Sequence, residues 1–283
     1  MSMESVNTNM GAMVALQSLQ ATQSHLSVAQ KQISTGYRVA DSTDNGAAYA
    51  IAQNIRSTVG ALTTANQQLG SVQGLLSTTQ SGLNNVSNMM ASMRDVLVNL
   101  SGSSVTGTER ANYIQQYKSM LANVKTDIQD ASYNGKTLIG NLTGSSGSFG
   151  RVSVVRNENG ASYGIGTFGG SAMYTAISFT GTQLAGSSTV AALITAGGTF
   201  ITQQNSVGTE LNTIGSSINY INNQSTYNST KINALNSGLG SLIDADLAKE
   251  SARLTALQIR QQLGTQALSM ANQAPQTLLS LFK

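Results

Sequence analysis

The sequence predicts a mainly α protein: a long antiparallel, coiled-coil-like helical rod built from both chain ends, with a small β-rich insertion in the middle. Three observations carry that expectation. Apolar residues recur at heptad spacing over long stretches of both halves of the 283-residue chain. Proline occurs once, at Pro275, and a proline inside a helix costs about 3 kcal/mol, so long uninterrupted helices require its absence elsewhere. Glycine and asparagine turns with β-forming residues are confined to the middle.

The first helical element lies near the N-terminus, where Leu16, Leu19, Leu26 and Ile33 form a short seam with Gln23 and Gln30 inside it. It stops at "STGYRVADSTDNGAA", residues 34–48, which is rich in turn formers. The second element has the strongest signal: Leu62, Leu69, Leu76, Leu83, Met90 and Leu97 recur every seven residues, with Val59, Asn66, Gln73 and Gln80 at the partner position. A helix from about 57 to 100 would be roughly 65 Å long. A third helix is expected from about Glu109 to Ala131, with Ile114, Tyr117, Leu121, Val124 and Ile128 on one face.

After Asn134-Gly135, in "DASYNGKTLIG", the character changes. That pair can supply the positive φ that ends the third helix, leaving the Tyr133 ring to pack back on the rod. Beyond it "RVSVVRNENGASYGIGTFGG" and "MYTAISFTGT" both read as short strands joined by turns, and "GIGTFGG" reads as a turn rather than a nucleotide-binding loop. A second long seam then follows. It runs through Val207, Leu211, Ile214, Ile218 and Ile221, is interrupted by polar Ser225 and Asn228, and resumes at Ile232, Leu235, Leu239 and Leu242. Near "IDADLAKE" the register slips by one, so the helix should bend or change partner there. Ile243, Leu247, Leu254, Leu257 and Leu268 continue the stripe. The expected domains are 1–40, a terminal helix; 41–140 and 189–243, the two halves of the rod; 141–188, a small variable region; and 244–283, the other terminal helix.

Composition narrows the function. Charged residues are 10% of the chain, against roughly 25% in an ordinary soluble protein. None occurs between Arg56 and Arg94 or between Glu158 and Glu210, and such faces suit packing against protein. The net charge of +3 is spread out, without a basic stripe or interleaved aromatics, so no nucleic-acid partner is expected. Cysteine is absent, which removes disulfides and thiol chemistry. His25, the single histidine, reads as an exposed helix-face residue. Asp244, Asp246 and Glu250 read as capping and pairing with Lys249 or Arg253 rather than as a metal site, since no EF-hand glycine loop accompanies them. No catalytic residue, cofactor or metal ligand is assigned, and no enzyme is expected. N-x-S/T triplets at Asn99 and Asn141 follow from composition. The N-terminus lacks the basic and apolar regions of a cleaved signal, and no window reaches the length of a membrane span, so secretion would proceed without a cleaved signal peptide and without membrane insertion.

Four stretches resemble bacterial flagellin: "VNTNMGAMVALQSL" at 6–19, "ISTGYRVADSTDNGAAYAIA" at 33–52, "YNGKTLI" at 133–139, and "DADLAKESARLTALQIRQQLGTQALSMANQAPQTLLSLF" at 244–282. The resemblance covers roughly 1–140 and 190–283. It implies a secreted structural subunit that polymerises with copies of itself into the extracellular flagellar filament for motility. It also implies the type III export apparatus, a flagellin chaperone, the filament cap and hook-junction proteins as partners. The terminal helices would line the filament core, with Leu16, Leu19, Leu26, Ile33, Leu247, Leu254, Leu257, Leu268, Leu278, Leu279, Leu281 and Phe282 as packing residues. The rod seam would be Leu62, Leu69, Leu76, Leu83, Met90, Leu97, Leu211, Ile214, Ile218 and Ile221.

Terminal helices with Gln23, Gln30 and Gln261 in their seam are expected to be poorly ordered alone and to fold on polymerisation. The segment that the flagellin-sensing Toll-like receptor reads corresponds to "ASMRDVLVN", residues 91–99. Arg94 is present there, while Ser92 and Gln116 stand where strongly stimulatory flagellins carry Arg and Glu. The small middle region implies a thin, smooth filament unless it is glycosylated. A hook–filament junction protein shares the terminal helices and is the nearest alternative; a coiled-coil adhesin or translocator would need a membrane-active segment not found here.

Overall fold

The computed structural model describes residues 8–140 and 142–281. Its architecture is mainly α with small β elements in the middle. The chain divides into two compact units, one joining the N-terminal stretch through Thr58 to the C-terminal stretch from Asn233, the other spanning Val59–Ile232.

The first unit contains helix α1 (Met10–Thr35) and most of its partner α8 (Leu247–Leu281), with the start of α2 (Gly46–Ser101) and the end of α7 (Thr199–Ile243). Each boundary has a local cause. The Asn9 side chain accepts from the Ala12 N–H and starts α1, leaving fewer of its first amides unpaired. Gly36, at φ 74°, ends α1 with its N–H on the Gln32 carbonyl, a left-handed cap that a Cβ would strain. The Asn45 side chain accepts from Ala48 N–H and starts α2 at Gly46, earlier than the heptads alone suggest. α7 stops at Ile243 and α8 restarts at Leu247, where the register slip is expected.

The second unit is built on the rest of α2, α3 (Gly107–Asp130) and the rest of α7. Leu69, Leu76, Leu83, Met90 and Leu97 of α2 form one buried cluster with Tyr117, Val124 and Ile128 of α3 and Val207, Ile214 and Ile221 of α7. The seven-residue recurrence keeps one stripe of α2 facing its neighbours over many turns, which is what the cluster needs. At the end of α2 the Arg110 guanidinium donates at 2.6 Å to the Leu100 carbonyl, which the helix end leaves open, and also to the carbonyls of Val105 and Leu184 at 3.0 and 2.8 Å. Tyr117 is fully buried, its hydroxyl donates to the Ile177 carbonyl at 2.7 Å, and burial pushes its phenol well above the ordinary value.

Two readings of the middle need correction. Asn134-Gly135 does not end α3, which stops at Asp130 with Ala131 as its cap. Asn134 and Gly135, at φ 49° and 73°, instead form a separate tight turn in which Lys136 N–H donates to the Tyr133 carbonyl. That turn delivers Tyr133 to α2: a Cβ on Gly74 would lie 2.7 Å from the Tyr133 ring, so the glycine makes the close approach possible.

The second correction concerns "MYTAISFTGT". Two short strands, β1 (Lys136–Thr137) and β2 (Ser148–Phe149), pair in parallel, and after them β3 (Val152–Val155) and β4 (Ser162–Ile165), in the first of the two expected stretches, pair antiparallel. The following stretch is helical, forming α4 (Gly170–Ile177), α5 (Gly181–Ala185) and α6 (Ser187–Leu193). Met173 and Ile177 are buried four residues apart, a helical spacing that a short apolar run cannot distinguish from a strand. A reciprocal cap between Thr180 and Gln183 then starts α5.

Candidate assembly surface

Within the first unit α1 and α8 run antiparallel, fixed at three levels. Asn9 Nδ2 donates to the Ala271 carbonyl at 2.7 Å, Gln261 Nε2 donates to Gln23 Oε1 at 2.6 Å, and Ala245 N–H donates to the Gly36 carbonyl at 3.0 Å. The glutamines that interrupt the two apolar seams therefore satisfy each other. Gly264 lets Leu19 come close, since a Cβ there would stand 3.2 Å from Leu19 Cδ1. Leu26, Ala29 and Leu257 are the fully buried centre, with Leu254 half-buried against them.

The loop between α1 and α2 is held by charge. Lys31 Nζ lies 2.6 Å from Asp41 Oδ2 and 2.8 Å from Asp44 Oδ1. Its hydrogen bonds hold both carboxyls below the usual carboxylate range, with Thr43 adding to the effect on Asp41, and they raise the Lys31 ammonium in return. Within the loop Val39 is buried with Ala48, Ala52 and Ile243. Asp246 caps α8 by accepting from Ala248 and Lys249 N–H, both at 3.1 Å, and Glu250 pairs with Arg253 at 3.5 Å. Asp246 and Glu250 therefore cap and pair, and among the described residues no group of His, Cys, Asp and Glu is arranged to hold a metal. His25 is exposed.

The pairing leaves much of each helix uncovered. Met10, Met13, Val14, Leu16 and Val28 of α1 are exposed, as are Leu247, Ile259, Leu263 and Met270 of α8. Charge is missing here too: residues 10–24 and 261–282 contain none. Exposed apolar residues thus recur along largely uncharged stretches of the pair, the kind of surface at which proteins pack against one another. Of the packing residues expected from sequence, Leu26 and Leu257 are buried inside the pair, and Leu19, Ile33, Leu254 and Leu268 are half-buried. Leu16 and Leu247 face solvent. The side chains of Leu278, Leu279 and Leu281, and all of Phe282, lie outside the described residues.

In the second unit Leu62, Leu69, Leu76, Leu83, Met90 and Leu97 are buried, as are Ile214 and Ile221, while Leu211 and Ile218 are half-buried. Arg94 and Ser92 are exposed on α2. A feature that the apolar seam conceals is the polar cluster around Asn228. This residue is fully buried, accepts from Gln224 Nε2, and donates to Asn66 Oδ1 and the Arg156 carbonyl, all at 2.9 Å. Its only sequence signal is that Asn66 and Asn228 are polar residues at seam positions. Two further determinants, Gly74 and Gly82, are invisible to a hydrophobic count; a Cβ on Gly82 would stand 2.8 Å from Ala131 Cβ.

Comparison with known proteins bears on what covers the exposed face. The model of the bacterial flagellin N-terminal helical region matches residues 6–143, and that of the C-terminal helical region matches residues 197–282. The chain is 30% identical to flagellin FljM of Caulobacter vibrioides over the whole of both, 100% of each chain. It is 31% identical to a flagellin of Brucella melitensis, covering 99% of this chain and 100% of that one. Among solved structures, one described as a flagellar hook-associated protein from Vibrio parahaemolyticus superposes with a TM-score of 0.56 at 16% identity, over 71% of this chain and 100% of that chain, a likeness of fold.

Proposed function

Because this chain belongs to the bacterial flagellin family, whose members are structural subunits of the extracellular flagellar filament, we propose that α1 and α8 are the surface through which its subunits pack in the filament core. The observation that carries the reading is the row of exposed apolar residues on a helix pair that carries no charge over residues 10–24 and 261–282. The pair buries little between its own helices, so a neighbouring subunit supplies the burial that the monomer lacks. Low charge keeps the desolvation cost of that burial small. Contacts of this kind, joining different patches on successive copies without closing, generate an open helical polymer.

In this reading residues 1–40 and 244–283 line the core, 41–140 and 189–243 form the surrounding helical layer, and 141–188 face outward. Family membership also supports export as an unfolded chain through the flagellar type III apparatus, without a cleaved signal and with a dedicated chaperone, and meeting the cap and hook-junction proteins at the filament ends. Among the described residues no helix is long and apolar enough to cross a membrane.

Electron microscopy of the purified full chain, seeded with filament fragments or brought to assembly with precipitant salt, tests the proposal. Long filaments are expected. Only short or closed assemblies would favour a hook–filament junction role and sink the polymer reading.

A further inference from the structure

The chain has ten methionines, and the structure sorts those it describes into two chemical classes. Met90, Met93 and Met173 are buried in the second unit, and Met89 and Met120 are half-buried there. Met10, Met13 and Met270 belong to the first unit and are 59%, 61% and 63% exposed. They are gathered at one end of the antiparallel pair, because the hydrogen bond from Asn9 to the Ala271 carbonyl sets the start of α1 beside the stretch that carries Met270. No charged residue lies in residues 10–24 or 261–282 around them.

We propose that Met10, Met13 and Met270 form an oxidation site for hydrogen peroxide, open in the monomer and closed in the filament, whose modification blocks subunit addition. Exposure governs which thioethers react, and all three are open to solvent. In the reaction a sulfur lone pair attacks one peroxide oxygen, an S–O bond forms as the O–O bond breaks, and water leaves. Sulfur is oxidised by two electrons and peroxide is reduced. The product is a polar sulfoxide on a surface that assembly must dehydrate, and a buried sulfoxide oxygen without a hydrogen-bond donor opposes that step. Methionine sulfoxide reductases reverse the change, so the block is reversible. A polymerised subunit has these positions covered, and damage is thereby confined to unassembled chains.

This inference rests on the assembly reading above, and the test separates the two. The full chain is treated with hydrogen peroxide as monomer and as filament, the sulfoxides are mapped residue by residue by mass spectrometry, and seeded growth is followed. Met10, Met13 and Met270 should oxidise in the monomer well before Met90, Met93 and Met173, and far more slowly in the filament. The oxidised monomer should need a ~10-fold higher concentration to grow, which corresponds to about 1.4 kcal/mol, and reductase treatment should restore it. A chain carrying Met10→Leu, Met13→Leu and Met270→Leu, compared with itself before and after peroxide, should need the same concentration to grow in both states, which also separates these sites from Met1 and Met3, outside the described residues. Growth unchanged by full oxidation of the three, loss of growth in the leucine variant only after peroxide, or equal oxidation of the buried methionines would each overturn the inference. If untreated chains form no filaments, the assembly reading beneath it falls instead.

Discussion

Replacing Asn228 with Ala in the second unit removes a fully buried side chain that makes hydrogen bonds to Gln224, Asn66 and the Arg156 carbonyl. A net contribution of about 0.5–1.5 kcal/mol per bond gives roughly 1.5–4.5 kcal/mol for the three. Gln224 and Asn66 are half-buried and regain some contact with water, which lowers the total. The gain in helix propensity from Asn to Ala, up to about 0.7 kcal/mol, acts in the same direction. The expected loss is therefore about 2 kcal/mol. Urea unfolding is the assay, followed by helical circular dichroism and by tyrosine fluorescence. The chain has no tryptophan, and the stacked rings of Tyr163 and Tyr220, 4.2 Å apart, lie beside Arg156, whose Nη1 donates to the Tyr220 hydroxyl at 3.0 Å. Asn222→Ala, at an exposed position of the same helix, is the control and should stay within about 0.5 kcal/mol. In a double-mutant cycle Asn228→Ala and Asn66→Ala should couple by about 1 kcal/mol. A loss no larger than the control, or strict additivity with Asn66→Ala, would refute the claim that this cluster locks α2 to α7.

Further outcomes follow from the same packing. Gly82→Ala pushes a methyl group against Ala131 and Ile139, whose atoms would stand 2.8 and 3.1 Å away, and should cost about 1–3 kcal/mol in the same unfolding assay. Tyr117→Phe leaves the Ile177 carbonyl without its 2.7 Å donor and should cost about 1–2 kcal/mol, while the stack on Phe179 survives. The clasp of Lys31 on Asp41 and Asp44 sets a pH window. The depressed carboxyls contribute above their unfolded value of about 3.9 and lose the contribution as pH falls through their folded values, whereas raised Lys31 contributes below about 10.4 and loses it as pH rises through its folded value. Proteolytic cleavage in the 36–45 loop should accordingly be slow and flat from about pH 5 to 9 and rise below about pH 4.

Much of the helical framework can be read from spacing because a heptad seam is a long-range regularity. Leu69 through Leu97 need only keep their period to face one neighbour, so burial of each follows from the pattern. Caps were legible as well: the turn-rich stretch after Ile33 and the acidic group before Lys249 stop and start α1, α2 and α8 much where their chemistry suggests. The middle was less so. Over eight residues the alternation in "MYTAISFT" does not separate strand from helix, and the burial of Met173 and Ile177 on one face comes from tertiary neighbours. Asn134-Gly135 carries a correct turn signal, yet its place in the fold depends on a glycine at 74 in another helix. The candidate surface was half legible. Apolar positions on α1 and α8 can be counted, but only the structure separates Leu26 and Leu257, which the pair itself buries, from Val14, Leu263 and the methionines that it leaves exposed.

Hydrogen exchange of the full chain, compared between monomer and assembled filament, tests most directly the claim that the terminal helices complete their burial in a second copy. The account predicts that amides of α1 and α8 exchange quickly in the monomer and become strongly protected on polymerisation, while those of α2 around Leu76 and Leu83 are protected in both states. Terminal amides already as protected in the monomer as in the filament, or still unprotected once filaments have formed, would contradict it.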